Sequence, residues 1–360
     1  MVASSDGKDA TASPRRLRTV FFRVDLVIPS FGVTFMSPAF TSKDVRGIYN
    51  ILATPATPDG DRWASDDSVD YAETARLVTM LISEDVDAIM TNGTFGEAAT
   101  LTEPEWRKFN QTVAQTVNGR VPLFGGATTL NTRDTIRRSR ELIQMGFTGL
   151  FLGRPMWQQM DDDAIVGYYS DVAEALPDAP IVLYDNPEVF KGKISPDVYR
   201  RLALIPNIVA SKYMAISQQY FADLAAVDDS IILMPMDSDW YFADLWAPGK
   251  PTATWSGSGN CGMAPLSALK RAMEAGNQEA ARRITQELRE AYSTLFPHGD
   301  FHEFSIYNIQ LEKARFDAAG AITAGPCRPP YQHIPENHLN GARLVGERYA
   351  ALQHKYATEF

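Results

Sequence analysis

The sequence predicts an α/β chain: a (β/α)8 TIM barrel followed by a C-terminal helical extension. Three observations carry this. Eight short apolar or β-favouring runs recur between residues 47 and 275. Amphipathic stretches separate them, the alternation expected of parallel strands joined by helices. The repeat also fills most of the roughly 250 residues that a closed barrel needs. A doubly wound open sheet has the same periodicity and remains the competing architecture.

The runs lie at 48–53, 88–91, 122–125, 149–152, 181–184, 208–211, 231–234 and 252–255. Each is close to continuously apolar, as for strands buried on both faces. The first helix is predicted over 69–82, where Ala72, Ala75, Leu77, Val78, Leu81 and Ile82 fall at helical spacing. Thr102-Glu103-Pro104-Glu105 supplies an N-cap, an early proline and first-turn acids for the second. Further helices are predicted over 132–145, 161–176, 196–204 and 218–227. Past residue 275 the pattern is helical, over 278–295 and 301–319. A Pro-rich link at 325–335 then leads to a last helix ending near 354. The chain thus divides into an N-terminal extension (1–46), the barrel (47–275) and a helical appendage (276–360).

Residues 1–35 differ from the rest. Ser-Pro-Arg-Arg-Leu-Arg precedes an apolar stretch, in outline a secretory or twin-arginine signal. Arg23 and Asp25 interrupt that stretch, and no small-x-small cleavage site follows. The reading adopted is that Met36 is the natural start and 1–35 a disordered or misassigned extension. No segment is long and apolar enough to span a bilayer, so a membrane partner is not expected.

The 360 residues are 45% hydrophobic and carry a formal charge of -10. That composition leaves no basic surplus for nucleic acid. Two cysteines, Cys261 and Cys327, argue against a disulfide scaffold and fit the cytoplasm. The five histidines are informative by position, since none precedes His298. A barrel over 47–275 therefore has no imidazole for a metal site or a Ser-His triad. No metal or cofactor is expected, and the chemistry falls to Lys, Tyr, carboxylates, hydroxyls or backbone.

Residues just past strand C-termini build the active site of a barrel. Those positions hold Gly93, Thr94 and Phe95 after run two and Arg154 and Trp157 after run four. Tyr184 and Asn186 end run five, Lys212 run six, and Trp255, Ser256 and Gly257 run eight. Lys212 stands out. It follows the apolar Ile208-Val209-Ala210, which buries its stem, and desolvation makes an amine a better nucleophile. Schiff-base chemistry with a ketone is one reading; a structural lysine paired with a carboxylate is the other. Thr94 sits in a Gly-flanked turn able to form a carboxylate-binding nest. Tyr184 is a proton-shuttle candidate or a packing residue. Trp157, Trp255, Phe95 and Phe190 give either an aromatic mouth or core. Gly257-x-Gly259-x-x-Gly262 matches the dinucleotide fingerprint, but it lies in the last βα unit and no acid-ending strand follows.

Gly93-Thr94-Phe95-Gly96-Glu97, Tyr184 and Lys212, the last two 28 positions apart, resemble the dihydrodipicolinate synthase / N-acetylneuraminate lyase superfamily of class I aldolases. The resemblance spans 40–356. Where many members carry a second hydroxyl in the turn, this chain has Phe95. It also lacks the arginine after the tyrosine, and Met156-Trp157 replaces a relay tyrosine. These departures favour an apolar aldehyde. The runs Leu152-Gly153-x-Pro155-Met156-Trp157, Tyr184-x-Asn186-Pro187-Glu188 and Gly325-Pro326-Cys327-Arg328-Pro329-Pro330-Tyr331 are similar to the hydratase-aldolases of polycyclic aromatic catabolism. Those act on trans-o-hydroxy- and trans-o-carboxybenzylidenepyruvate.

The resemblance implies an aryl-substituted pyruvate as substrate. Its carboxylate would dock at Thr94 and Phe95, and Lys212 would form the Schiff base. Asn186 would position water and Tyr184 would move protons. Trp157 and Trp255 would flank the ring, in a homotetramer. Arg154, or Lys191, is the cation expected to favour the ortho-carboxylated substrate over the hydroxy one. A dihydrodipicolinate synthase-like or sugar-acid lyase is the alternative enzyme, and a non-catalytic regulator on the same barrel the third reading.

Overall fold

In the computed structural model, which describes residues 40–359, eight parallel strands alternate with helices. The expected disorder over 1–35 falls outside the described residues. The strands are β1 (Gly47–Ile51), β2 (Ala88–Met90), β3 (Leu123–Gly126), β4 (Gly149–Leu152), β5 (Ile181–Tyr184), β6 (Ile208–Lys212), β7 (Ile232–Met234) and β8 (Ala253–Ser256). Every residue in them is buried, which is why their sequences read as continuous apolar runs.

The strand order is β7-β6-β5-β4-β3-β2-β1-β8. The two ends of that order meet. Met236 bridges to Trp255, whose N–H donates to the Pro235 carbonyl at 3.0 Å. Pro235 has no N–H to return, so the seam is a single bridge. The Thr254 hydroxyl supplies a second donor to the same carbonyl at 2.8 Å. The sheet therefore closes into a barrel rather than staying open.

The outer helices are α1 (Tyr71–Ser83), α2 (Glu103–Val117), α3 (Thr132–Gln144), α4 (Asp162–Ala175), α5 (Pro196–Leu202), α6 (Gln218–Val227), α7 (Trp240–Trp246) and α8 (Ala264–Glu274). Thr102 caps α2 in a reciprocal box with Glu105, as its sequence predicts. Helix α7 has no counterpart among the sequence expectations. Its seven residues, WYFADLW, are too few and too apolar to show an amphipathic period.

After the barrel come α9 (Gln278–Tyr292), α10 (Phe301–Ile306), α11 (Asn308–Ala319) and α12 (Glu336–Glu359). The single helix expected over 301–319 is broken at Tyr307, where the backbone leaves the helical region (φ -112°, ψ 20°). No Gly or Pro marks the break. Barrel and C-terminal helices cluster as one unit. No helix among the described residues is long and apolar enough to cross a membrane.

Candidate active site

The strand ends converge on one cavity. Thr94, Tyr184, Asn186, Lys212, Trp255 and Gly257 line it from the barrel. Phe296, Phe301, Phe304, Asn308, Glu312 and Arg315 line it from the C-terminal segment.

Lys212 is the last residue of β6 and only 3% exposed. Its Nζ lies 4.0 Å from the Trp255 ring centroid and 5.2 Å from that of Tyr184. Burial disfavours the ammonium and brings the pKa down to about 7, against the opposing pull of Asp185 and Glu312. Among the described residues no carboxylate forms an ion pair with it.

Tyr184 ends β5 and pairs in register with Lys212. Its ring stacks on Phe151 at 4.5 Å and meets Phe190 edge-on at 5.3 Å. Its hydroxyl oxygen accepts from the Thr94 N–H at 3.2 Å and from Asn186 Nδ2 at 3.5 Å. That leaves the phenolic proton to the Thr94 Oγ1, 2.5 Å away.

In the turn after β2 the Glu97 N–H closes on the Thr94 carbonyl at 2.9 Å and the Ala98 N–H on the Gly93 carbonyl at 3.4 Å. Thr94 spends its N–H on Tyr184, while the Phe95 N–H meets no acceptor among the described residues. Gly257, just past β8, faces Phe95: a Cβ there would stand 2.9 Å from Phe95 Cζ, so a side chain at this position would push that ring aside.

Behind Trp255 lies a buried polar network. Asp237 accepts from Ser256 Oγ at 2.5 Å and from the Tyr292 hydroxyl at 3.1 Å. Desolvation raises its pKa. The Ser258 hydroxyl joins Tyr292 and accepts from Arg315 at 2.8 Å. Arg315 in turn grips Glu312 Oε2 through Nε at 2.8 Å and a terminal nitrogen at 2.5 Å. The Asn308 Oδ1, on the first residue of α11, is buried without a hydrogen-bond partner.

The sequence of the dihydrodipicolinate synthetase family matches residues 45–344. The chain belongs to that family. Its relatives include the trans-2'-carboxybenzalpyruvate hydratase-aldolase of Nocardioides sp. strain KP7, 46% identical over 89% of this chain and 97% of the relative. The trans-O-hydroxybenzylidenepyruvate hydratase-aldolase of Pseudomonas aeruginosa is also 46% identical, over 89% and 96%. The solved structure of "PhdJ bound to substrate intermediate" is 45% identical, with a TM-score of 0.87 over 88% of this chain and 99% of that one. The dihydrodipicolinate synthase of Thermotoga maritima shares the fold at 22% identity, with a TM-score of 0.72 over 85% and 98%.

Among the positions expected from the sequence to form the site, the structure brings Thr94, Phe95, Tyr184, Asn186, Lys212, Trp255 and Gly257 together. It does not bring Arg154, Lys191, Trp157, Ser256 or Gly93 to the cavity. Arg154 is 2% exposed, with its guanidinium 3.4 Å from Asp185 Oδ1 and 2.5 Å from the Gly192 carbonyl. It is no free cation at the mouth. Lys191 donates to the Trp157 carbonyl at 2.6 Å. Trp157 is 75% exposed, because the chain past β4 turns outward. Ser256 serves the Asp237 network, and Gly93 packs against Ile51, where a Cβ would stand 2.8 Å from Cγ2.

Sequence reasoning missed the C-terminal half of the cavity. The phenylalanines at 296, 301 and 304 replace Trp157 as the aromatic wall. Their clustering was visible in the sequence; their return over the barrel mouth was not. The histidines join the same region, His298 and His338 on Glu303 at 2.8 Å each, and His302 on Glu188 at 3.2 Å.

Proposed function

We propose that this protein is a class I hydratase-aldolase of polycyclic aromatic catabolism. It adds water to an ortho-substituted trans-benzylidenepyruvate and cleaves the product to an aromatic aldehyde and pyruvate. One observation carries the reading: a buried Lys212, with no carboxylate ion-paired to it among the described residues, faces Tyr184 inside an aromatic cavity. The relatives' activities on two such enones support it.

The Lys212 amine attacks the C2 ketone and water leaves, giving an iminium; no cofactor is needed. The substrate carboxylate rests on the Phe95 N–H and the Thr94 hydroxyl. Conjugation makes the benzylic carbon electrophilic, so water adds there and a proton is taken up at C3. Asn186 holds the water. Tyr184, relayed through Thr94, removes the new hydroxyl's proton as the C3–C4 bond breaks. The electron pair passes into the iminium, forming an enamine as the aldehyde departs. Protonation at C3 and hydrolysis of the imine release pyruvate and restore the amine.

Arg154, buried in an ion pair with Asp185, is not free to single out a carboxylated ring. The carboxy enone, giving 2-carboxybenzaldehyde, and the hydroxy enone, giving salicylaldehyde, are both substrates to test. Phe221 and Trp246, with ring centroids 6.1 Å apart, and Leu245 expose an apolar face on α6 and α7 that a homotetramer would bury. Two free thiols, Cys261 and Cys327, fit a cytoplasmic enzyme.

The test is turnover. Enone absorbance should fall with equimolar release of pyruvate and aldehyde. Inertness toward both enones, with condensation of pyruvate onto an aliphatic semialdehyde, would assign the dihydrodipicolinate synthase activity instead.

A further inference from the structure

Glu97 closes the turn that carries Thr94 and Phe95, yet it lines no part of the cavity. It is fully buried and its backbone is left-handed (φ 54°). Its Oε2 accepts from Lys313 Nζ at 2.7 Å and from the Arg328 guanidinium. Its Oε1 accepts the Arg328 backbone N–H at 2.8 Å. Both cations belong to the C-terminal segment, more than 200 residues away in sequence.

Arg328 does more than neutralise a carboxylate. All five of its guanidinium N–H groups are used. Besides Glu97, they reach the Thr54 carbonyl at 3.2 Å, the Pro55 carbonyl at 3.1 Å, the Ser68 hydroxyl at 2.7 Å and the Ser68 carbonyl at 2.9 Å. The link is pressed onto the exit of β1. Gly325 sits at φ 72°, and a Cβ there would stand 2.4 Å from the Ala56 carbonyl oxygen. Thr54 in turn donates to the Gly96 carbonyl at 2.7 Å.

We propose that Arg328 and Lys313, acting through Glu97, are positioning residues for the turn that receives the substrate carboxylate, an inference that rests on the carboxylate site proposed above. The turn belongs to no helix or strand, so where the Phe95 N–H points depends on how the turn as a whole is held against the barrel. A planar five-donor fork fixes it in a way a point charge cannot. Stability alone would be served as well by apolar packing, because a buried ion network is a poor stabiliser.

The test compares two ketones in borohydride trapping on the full chain: pyruvate, and pyruvamide, which lacks the carboxylate charge. For Arg328→Gln we expect half-saturating pyruvate to rise about tenfold, with the limiting trapping rate within about threefold of wild type and pyruvamide unaffected. Arg328→Lys keeps the charge but loses the fork, and should behave like Arg328→Gln. Lys313→Met, which leaves the Arg328 bonds in place, should shift pyruvate less in the same direction and serves if Arg328→Gln does not fold. A lowered melting temperature with unchanged pyruvate half-saturation would reduce the network to scaffolding and overturn the proposal. So would equal losses for both ketones. Wild-type protein that traps no pyruvate would instead remove the Schiff-base reading beneath it.

Discussion

Tyr184 and Lys212 are direct register partners on neighbouring parallel strands, each the last residue of its strand. Parallel register places both side chains on the same side of the sheet. Here that side is the barrel interior, with the Lys212 Nζ 5.2 Å from the centre of the Tyr184 ring. The pair brings a desolvated amine and a phenol to one point, and the Thr94 hydroxyl continues the proton path outward.

Tyr184→Phe keeps the ring contacts with Phe151 and Phe190, so circular dichroism should be unchanged. It removes the phenolic proton. Turnover should fall about 10²–10⁴-fold, the usual worth of a positioned proton transfer. Turnover within threefold of wild type would take Tyr184 out of the mechanism.

The Lys212 pKa, lowered to about 7 by burial, sets the pH dependence. Only the neutral amine attacks a ketone. The rate of Schiff-base formation should therefore rise with pH through a single ionisation with its midpoint at about 7 and then level off. The stability effect has a definite sign. The folded-state pKa lies below the ordinary value of 10.5, so the unfolded chain binds the extra proton between the two values. The cost of burying Lys212 is full below pH 7 and fades as pH rises toward 10. Lys212→Met should thus raise the melting temperature most at pH 6 and least at pH 10, as thermal scans across that range will show.

Arg154→Ala separates the buried ion pair from any role in recognition. Asp185 would lose its guanidinium partner deep in the fold and keep Lys193, at 3.6 Å, and the Ile194 N–H, at 3.4 Å. Breaking such a pair costs about 3 kcal/mol. Urea denaturation should show that loss. The ratio of kcat/KM for the carboxy and hydroxy enones should stay as in wild type.

The C-terminal wall has its own signature. Phe301→Ala removes an aromatic face from the cavity and should raise KM for the aryl enone by up to about tenfold, since aromatic contacts are worth roughly 0.5–1.5 kcal/mol. Borohydride trapping with pyruvate, which has no ring, should be unchanged.

The barrel half of the site was legible because its strands are buried on both faces. Continuous apolar runs marked where each strand ended, and a barrel places its chemistry at those ends. Lys212 and Tyr184 were found that way. Arg154 was placed wrongly for an equally local reason. The register Leu152–Leu183 sets Asp185 beside it, and the pairing of β4 with β5 is not written in either run alone. The remaining half of the cavity depends on α9, α10 and α11 returning across the barrel mouth. The sequence shows those helices as amphipathic or aromatic segments, but the surface they cover is set by tertiary packing. The same holds for Glu97, whose partners Lys313 and Arg328 lie 216 and 231 residues away.

Covalent capture tests the central claim most directly. Protein incubated with pyruvate and sodium borohydride, then digested and mapped by mass spectrometry, should carry one reduced pyruvyl adduct, on Lys212. Lys212→Met should carry none. An adduct on another lysine, or wild-type protein left unmodified, would contradict the Schiff-base account.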